Sequence, residues 1–131
     1  MREILFRGKR VDNGEWIYGD VVQFPTHGIV RIVEQEPSYK DAEVDSETVG
    51  QYTGLTDKNG KKFFEGDIIK GNFSNYVIWA DETERAFVYG KSYKGGYKNL
   101  MSDYLLKSSF PNGMEVVGNI HDNPELLEVT K

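Results

Sequence analysis

Short runs of apolar residues, either alternating or continuous, are separated by turn signals along the whole chain. They predict about eight strands, at about residues 3–7, 14–24, 29–33, 48–53, 63–69, 76–79, 86–89 and 114–120. The strongest turn signal is Asn59-Gly60, because both residues tolerate the torsions of a tight hairpin. No helical period alternates with the strands, which disfavours a parallel sheet. The pattern predicts a mainly β fold, a small antiparallel barrel or roll.

The remaining stretches predict loops and little helix. Residues 34–47 are polar and acidic and are expected to form a surface loop, and residues 90–99 form a second loop rich in Gly, Lys and Tyr. A short helix is allowed over 100–107, where Leu and Tyr residues recur near helical spacing. Asn123-Pro124-Glu125 is typical of a helix start, and the two leucines that follow would pack on the core.

Charge and composition exclude several classes of protein. The 131 residues contain no cysteine, so a disulfide framework, a thiolate metal site and a cysteine nucleophile are excluded. The net charge of −5 disfavours a protein that coats nucleic acid, although residues 1–10 and 91–98 are locally basic. No apolar run approaches the roughly 20 residues of a membrane-spanning helix, so we expect a cytoplasmic protein.

Three motifs carry a family resemblance. FRGKRVDNGEWIYGD at 6–20, VGQYTGLTDKNGKKFFEGDIIKG at 49–71 and EVVGNIHDNPELL at 115–127 together resemble the YopX family of phage and prophage proteins. The resemblance implies a protein of Gram-positive phages with an SH3-like barrel component. It implies no known activity, because the family provides no established enzyme class, catalytic residue or cofactor. We therefore expect one YopX-like domain over 1–131, with an N-terminal β part at about 1–47 and the SH3-like barrel at about 48–131.

Candidate catalytic and metal-binding residues are few. Glu65 and Asp67 are two residues apart and would face the same way on a strand, as an acid/base pair or cation ligands. Their position around Gly66 favours a turn instead. His27 and His121 are the only histidines, and nothing in the sequence brings them together. We therefore assign no catalytic residue and no metal site, and a hydrolase is the least favoured function.

The segment 89–98 is the most promising binding element. It interleaves three lysines with tyrosines and glycines, so that lysines could neutralise phosphates while tyrosines stack on bases. The candidate binding residues are Lys91, Tyr93, Lys94, Tyr97 and Lys98. The alternative is a solvated loop whose tyrosines fold back on the barrel. Trp16 and Trp79 could likewise line a groove, but packing in the core or on the barrel wall is favoured for both.

These observations leave two functions open. The first is a non-enzymatic β-barrel module that binds a host or phage protein, as the resemblance and the missing catalytic constellation suggest. The alternative is a single-stranded nucleic-acid-binding protein that uses the Lys/Tyr loop. Exposed strand edges also allow a homo-oligomer.

Overall fold

The computed structural model describes residues 3–24, 26–35, 37–71, 73–102, 106–107 and 113–127. Within them the elements are β1 (Phe6–Lys9), β2 (Trp16–Phe24), β3 (Ile29–Val33), β4 (Asp41–Val44), the 3-10 helix η1 (Ser46–Thr48), β5 (Gly50–Thr56), β6 (Lys62–Phe64), β7 (Asp67–Lys70), β8 (Asn75–Asp81), β9 (Ala86–Ser92), β10 (Gly95–Leu100), β11 (Glu115–Asn119) and the 3-10 helix η2 (Pro124–Leu127). The prediction of a mainly β fold with little helix is confirmed.

The strands form two antiparallel sheets. One sheet has the order β4-β3-β2-β1-β5-β6 and the other the order β10-β9-β8-β7-β11. The end strands of neither sheet pair with each other among the described residues, so the closed barrel expected from the sequence is not confirmed. The chain divides into two compact units, residues 1–52 and 53–131. The sequence places this division at about residue 47, and the assignment of both parts to one domain stays a prediction.

The N-terminal unit buries the opposite face of β2 from the one that its aromatic residues suggest. Ile17 packs in an aliphatic cluster with Ile32 and Val44, whereas Tyr18 and Phe24 are each 43% exposed on the other face. The buried face is the one that contains Gly19, where a Cβ atom would overlap the carbonyl oxygen of Val33. Only glycine allows β2 to approach β3 so closely.

Trp16 also lies on this outer face of β2 and is half buried. The guanidinium carbon of Arg7 lies 4.5 Å from its ring centroid, and Lys9 Nζ lies 5.8 Å from it. The indole therefore packs under two cationic side chains of β1. Trp16 thus packs on the surface of the sheet and not in a buried cluster, whereas Trp79 is 2% exposed, in agreement with the core packing predicted for it.

The acidic stretch at 34–47 is more ordered than the predicted loop. It contains β4 and η1, since Ala42 and Val44 alternate with acidic residues and pack in the same cluster as Ile32. The acidic residues point outward, and Asp41 accepts a hydrogen bond from Arg31 at 3.0 Å. Apolar and acidic residues alternate here as in a strand, but the high acidic content made the segment look like a loop.

The five-stranded sheet of the C-terminal unit is packed on both faces. One face carries Val77, Trp79 and Val88. The other carries a larger cluster that includes Phe63 and Ile78. Both strands of the predicted 76–79 and 86–89 hairpin are present and longer than predicted. Their nearly continuous apolar sequence results from this burial on both faces.

Asp57 caps one edge of this sheet. Its carboxylate accepts hydrogen bonds from the backbone N–H groups of Asn59 and Lys61, both at 2.8 Å, and of Val116 on β11 at 3.0 Å. Burial raises the pKa of the Asp57 carboxyl, but these three donors outweigh it, so the pKa lies below its ordinary value. The Asn59-Gly60 turn predicted from the sequence is thereby fastened to the β11 edge.

The C-terminal helical segments match the sequence analysis only in part. The predicted helix start at Pro124 is present as η2, and Leu127 packs against the Val77 cluster. The helix allowed at 100–107 is wrong at its start, because Leu100 ends β10. Residues 106–107 are helical, and 103–105 lie outside the described residues. No helix in the described ranges has the length and apolar content needed to cross a membrane.

Candidate binding surface

Residues 86–100 form a β-hairpin, not the loop predicted for 90–99. Ser92 of β9 lies opposite Gly95 of β10, so Tyr93 and Lys94 form a two-residue turn. Lys94 has a positive φ of 58° and Gly96 one of 70°. The register shifts between Gly95 and Lys98, which places a bulge there. The glycines that suggested a loop instead permit the turn and the bulge.

Tyr93 is fixed by its neighbours although it lies at the hairpin turn. Its ring packs edge to face against Trp79, with centroids 6.1 Å apart and planes at 70°. Lys94 Nζ lies 5.3 Å from the Tyr93 ring centroid. The aromatic contact and the cation–π contact both favour one ring orientation. Tyr93 nevertheless remains 42% exposed, so part of its ring faces solvent in a fixed position.

Asp81 connects β8 to the hairpin. Its carboxylate accepts hydrogen bonds from Lys98 Nζ at 2.9 Å, from the Glu84 backbone N–H at 2.9 Å and from the Trp79 indole N–H at 3.4 Å. The hydrogen bond from Lys98 is the main reason why the pKa of Asp81 lies below its ordinary value. The same side chain therefore fixes the indole under Tyr93 and holds Lys98 across the sheet face.

Gly90 allows this arrangement. A Cβ atom at Gly90 would lie 2.6 Å from the Tyr97 carbonyl oxygen and 3.0 Å from Cη2 of Trp79. The short distance to Cη2 of Trp79 shows that the indole lies directly over Gly90. Any larger residue would displace either the indole or β10.

The five candidate residues do not form one cationic patch. Lys98 lies opposite Gly90 and so shares the Trp79 face of the sheet, whereas Lys91, the next residue of β9, points to the other face. Lys98 is already paired with Asp81. Tyr93 and Lys94 come together at the turn, and Tyr97 on the bulge is 97% exposed. The structure thus groups an aromatic pair with one lysine and separates the other two lysines.

Phe73 is a further exposed aromatic residue that the sequence analysis missed. It lies in the turn at 71–74 and is 99% exposed. Val77 pairs with Gly90, so the 71–74 turn and the 93–94 turn lie at the same end of the sheet. Two strand spacings separate them, about 10 Å. A Phe directly after the strand-breaking Gly71-Asn72 of the sequence was the available signal, because a turn rarely needs a large apolar side chain. We call Phe73, Tyr93, Lys94 and Tyr97 the sheet-end surface.

Glu65 lies in the turn between β6 and β7, and Asp67 is the first residue of β7. Gly66 between them has φ of 86°, and its N–H donates to the Ile78 carbonyl at 2.8 Å. The Asp67 carboxylate is 2% exposed and accepts from the Phe64 N–H at 2.8 Å. A buried carboxylate that closes its own turn is poorly placed to exchange protons with a substrate. The observed geometry therefore favours a structural role in the turn over an acid/base pair.

The histidines lie in separate units of the chain. His27 is exposed in the turn after β2, and His121 follows β11. The His121 Nε2 lies 3.6 Å from the position that a Cβ on Gly66 would take, so its ring packs over the glycine turn. Within the described ranges, no three His, Cys, Asp or Glu side chains converge in a way that could hold a metal ion.

One cleft opens beside the Asp57 turn. It has a volume of about 250 Å³ and an apolar floor that includes Leu55, Phe63 and Met114, with Lys58 and Lys107 among its lining residues. Sites for drug-sized ligands usually measure about 300–1,000 Å³. The cleft is therefore small for a cofactor, and the sheet-end surface remains the better candidate.

Comparisons with known proteins agree on the fold and leave the activity open. The model of the family described as YopX protein matches residues 5–128. Among solved structures, the chain is similar to the crystal structure of protein EF1440 from Enterococcus faecalis, with 24% sequence identity and a TM-score of 0.61. That alignment covers 98% of this chain and 100% of the other. A search of the curated proteins found no match.

Proposed function

Because this chain belongs to the YopX family, we propose that it is a phage or prophage accessory protein that binds a host or phage protein and catalyses no reaction. The observation that carries the proposal is the sheet-end surface, where Phe73 and Tyr97 are 99% and 97% exposed. Aromatic residues are enriched in the buried centres of protein interfaces. Rings that are exposed in the isolated chain therefore mark a surface for a partner.

The chemistry of the surface defines the kind of partner. Tyr93 is already held against Trp79 and Lys94, so binding to it would cost little side-chain entropy. Lys94 places a positive charge beside the rings, and the acidic Asp81 is occupied by Lys98. We therefore expect an apolar or aromatic patch on the partner with an acidic residue next to it.

The architecture supports the proposal of a binding module. In residues 53–131 consecutive strands β7 to β10 follow one another and β11 returns to pair with β7, after a glycine turn at Glu65-Gly66. We take this connectivity as that of an SH3-like module acting in the bacterial cytoplasm. An experimental structure of the full chain that does not superimpose on SH3-like domains would remove this part of the proposal.

Photo-crosslinking tests the interaction directly. A benzophenone amino acid replaces Phe73 or Tyr97 in the chain produced in host cells, and a third variant carries it at Tyr39, which is 61% exposed in the other unit. We expect one protein to be crosslinked from positions 73 and 97 and not from 39. The same proteins from all three positions, or none from 73 and 97, would refute the proposal.

Single-stranded nucleic acid remains the second candidate, favoured by the contact of Lys94 with the Tyr93 ring at the hairpin turn. The pairing of Lys98 with Asp81 weakens this candidate, because that charge is already neutralised. Fluorescence anisotropy with a single-stranded oligonucleotide at low salt decides between the two. An absence of binding at micromolar protein, or binding unchanged when Lys91, Lys94 and Lys98 are all replaced by Ala, rejects nucleic acid.

A further inference from the structure

The two edges of the five-stranded sheet differ in how they are covered. At the β11 edge, Asp57 accepts the Val116 N–H, and the Met114 carbonyl accepts the Lys58 N–H. At the other edge, no described strand pairs with the outer side of β10. An uncovered edge strand is a template for another strand. Among the described residues, one edge of this sheet is therefore covered and the other is open.

The outward-facing backbone groups of β10 can be assigned from the register. The Met101 N–H donates to the Phe87 carbonyl at 3.0 Å, and Leu100 lies opposite Val88. Since successive N–H groups of a strand point to opposite sides, those of Lys98 and Leu100 point away from β9. Residues 98 and 100 thus present two N–H and two C=O groups to an incoming strand.

Lys98, the lysine of β10, does not prevent another strand from pairing at this edge. Lysines on edge strands commonly prevent pairing by pointing a charge at the approaching chain. Here Lys98 is turned onto the sheet face, where Asp81 binds it at 2.9 Å. The bulge lies N-terminal to Lys98 and leaves residues 98–100 in regular register with β9. The segment that could pair is therefore both regular and uncharged at its outer side.

We propose that β10 pairs antiparallel with β10 of a second copy of this chain, around a two-fold axis that passes through Asn99. In this register Lys98 of each copy lies opposite Leu100 of the other, and all outward backbone groups of residues 98 and 100 are satisfied by four hydrogen bonds. The two sheets become one continuous sheet. The interface is isologous, as in most symmetric dimers.

Charge complementarity favours a second copy as the occupant. The turn at the Gly95 end of β10 carries Lys94, and the β8–β9 turn near the Leu100 end carries Glu82 and Glu84 against Arg85, a net negative charge. An antiparallel two-fold arrangement brings the basic end of each copy towards the acidic end of the other. A strand with charge of one sign would complement only one end.

The dimer is expected to be weak, because one strand pair buries less than the roughly 1,200 Å² of a stable interface. Amide hydrogen exchange in the wild-type chain therefore provides the first test, at protein concentrations up to about 1 mM. We expect the Asn99 and Met101 amides to be protected at every concentration. Protection of the Lys98 and Leu100 amides should appear only as concentration rises, together with a doubling of the mass measured by sedimentation.

A proline variant tests the same hydrogen bonds. Leu100→Pro removes an outward N–H and no bond to β9, whereas Leu100→Thr loses the same side chain and keeps the N–H. We expect Pro to abolish the dimer and Thr to retain it. Fast exchange of Lys98 and Leu100 at the highest concentration would overturn the proposal, as would a dimer unaffected by Leu100→Pro. So would protection that appears only on addition of another protein or an oligonucleotide.

This inference goes beyond the proposed function and does not depend on it. The Leu100→Pro variant should still be crosslinked to a partner from Phe73, because the 71–74 turn is built by other strands. Loss of the dimer with retained crosslinking would show that dimer formation and partner binding are independent. Crosslinking that fails in the wild-type dimer would refute only the proposed function.

Discussion

Replacing Asp57 with Ala is expected to destabilise the C-terminal unit far more than most single substitutions in a turn. The side chain is 7% exposed and accepts three backbone N–H groups. Hydrogen bonds to a charged acceptor contribute about 1.5–3 kcal/mol each. The Asn59 and Lys61 donors lie in an exposed turn and can bind water instead, whereas the Val116 donor is on a buried residue.

We therefore expect Asp57→Ala to lower the free energy of unfolding by about 2–4 kcal/mol, most of it from the Val116 N–H. Asp57→Asn keeps the volume and one acceptor oxygen but loses the charge, so it should lower the free energy of unfolding by less than Asp57→Ala does. Asp12→Ala is the matched control, because it removes the same charge from an exposed pair with Arg10. Surface pairs contribute little, so this control should unfold almost like the wild type.

The effect of pH follows from the sign of the pKa change. The pKa of Asp57 is lower in the folded chain than in the unfolded chain, where it is about 4. The stabilisation is therefore complete above that value and disappears as pH falls through the folded pKa. The difference in unfolding free energy between the wild type and Asp57→Ala should be constant from pH 7 to about pH 5 and shrink below it.

Urea unfolding at several pH values measures these differences. In a Trp16→Phe background the fluorescence comes from Trp79, which lies in the same unit as Asp57. Far-UV circular dichroism on the same samples shows whether the two units unfold together. A loss below about 0.5 kcal/mol at pH 7 for Asp57→Ala would refute the reasoning. A difference that does not change between pH 7 and pH 3 would refute the assigned role of the charge.

Three further predictions concern the hairpin and the core. Gly90→Ala should shift the Trp79 emission and lower stability, because its Cβ would meet backbone at 2.6 Å, whereas Gly95→Ala, with no contact below 3.9 Å, should leave both unchanged. Asp81→Asn should speed amide exchange throughout β10, with exchange as slow as in the wild type arguing against its linking role. Phe63→Ala should cost about 3–5 kcal/mol in urea unfolding, since Phe63 is 1% exposed; a loss below about 1 kcal/mol would show that the cluster repacks.

Local signals predicted the turns well. The Asn59-Gly60 turn and the glycine turn at Gly66 depend on residues that tolerate positive φ, and Gly60 and Gly66 have φ of 83° and 86°. Such turns are determined by a few neighbouring residues and need no tertiary context. The acidic residues beside the glycines could likewise be assigned to backbone hydrogen bonds from their type alone.

Pairing partners could not be predicted in the same way. The segment from Gly90 to Leu100 has the composition of a loop, yet β10 exists because it pairs with β9 and because Asp81, nine residues before Gly90, binds Lys98. The buried face of β2 does not follow from apolar content either, since its aromatic row lies on the more exposed face and Ile17 lies on the buried one. The close approach of β3 to Gly19 on that face is a tertiary contact that no local pattern reveals.

The roles of the acidic side chains and the exposure of two rings support the proposed binding surface. Asp57 and Asp67 bind backbone N–H groups, and Asp81 holds Trp79 and Lys98, so each has a role in the fold. Phe73 and Tyr97 are almost fully exposed and contribute little to burial. An exposed ring lowers solubility and adds little stability in the isolated chain. The Asp81 contact with Lys98 holds the hairpin that carries Tyr97, so this ring is presented on a fixed support, as a binding site requires.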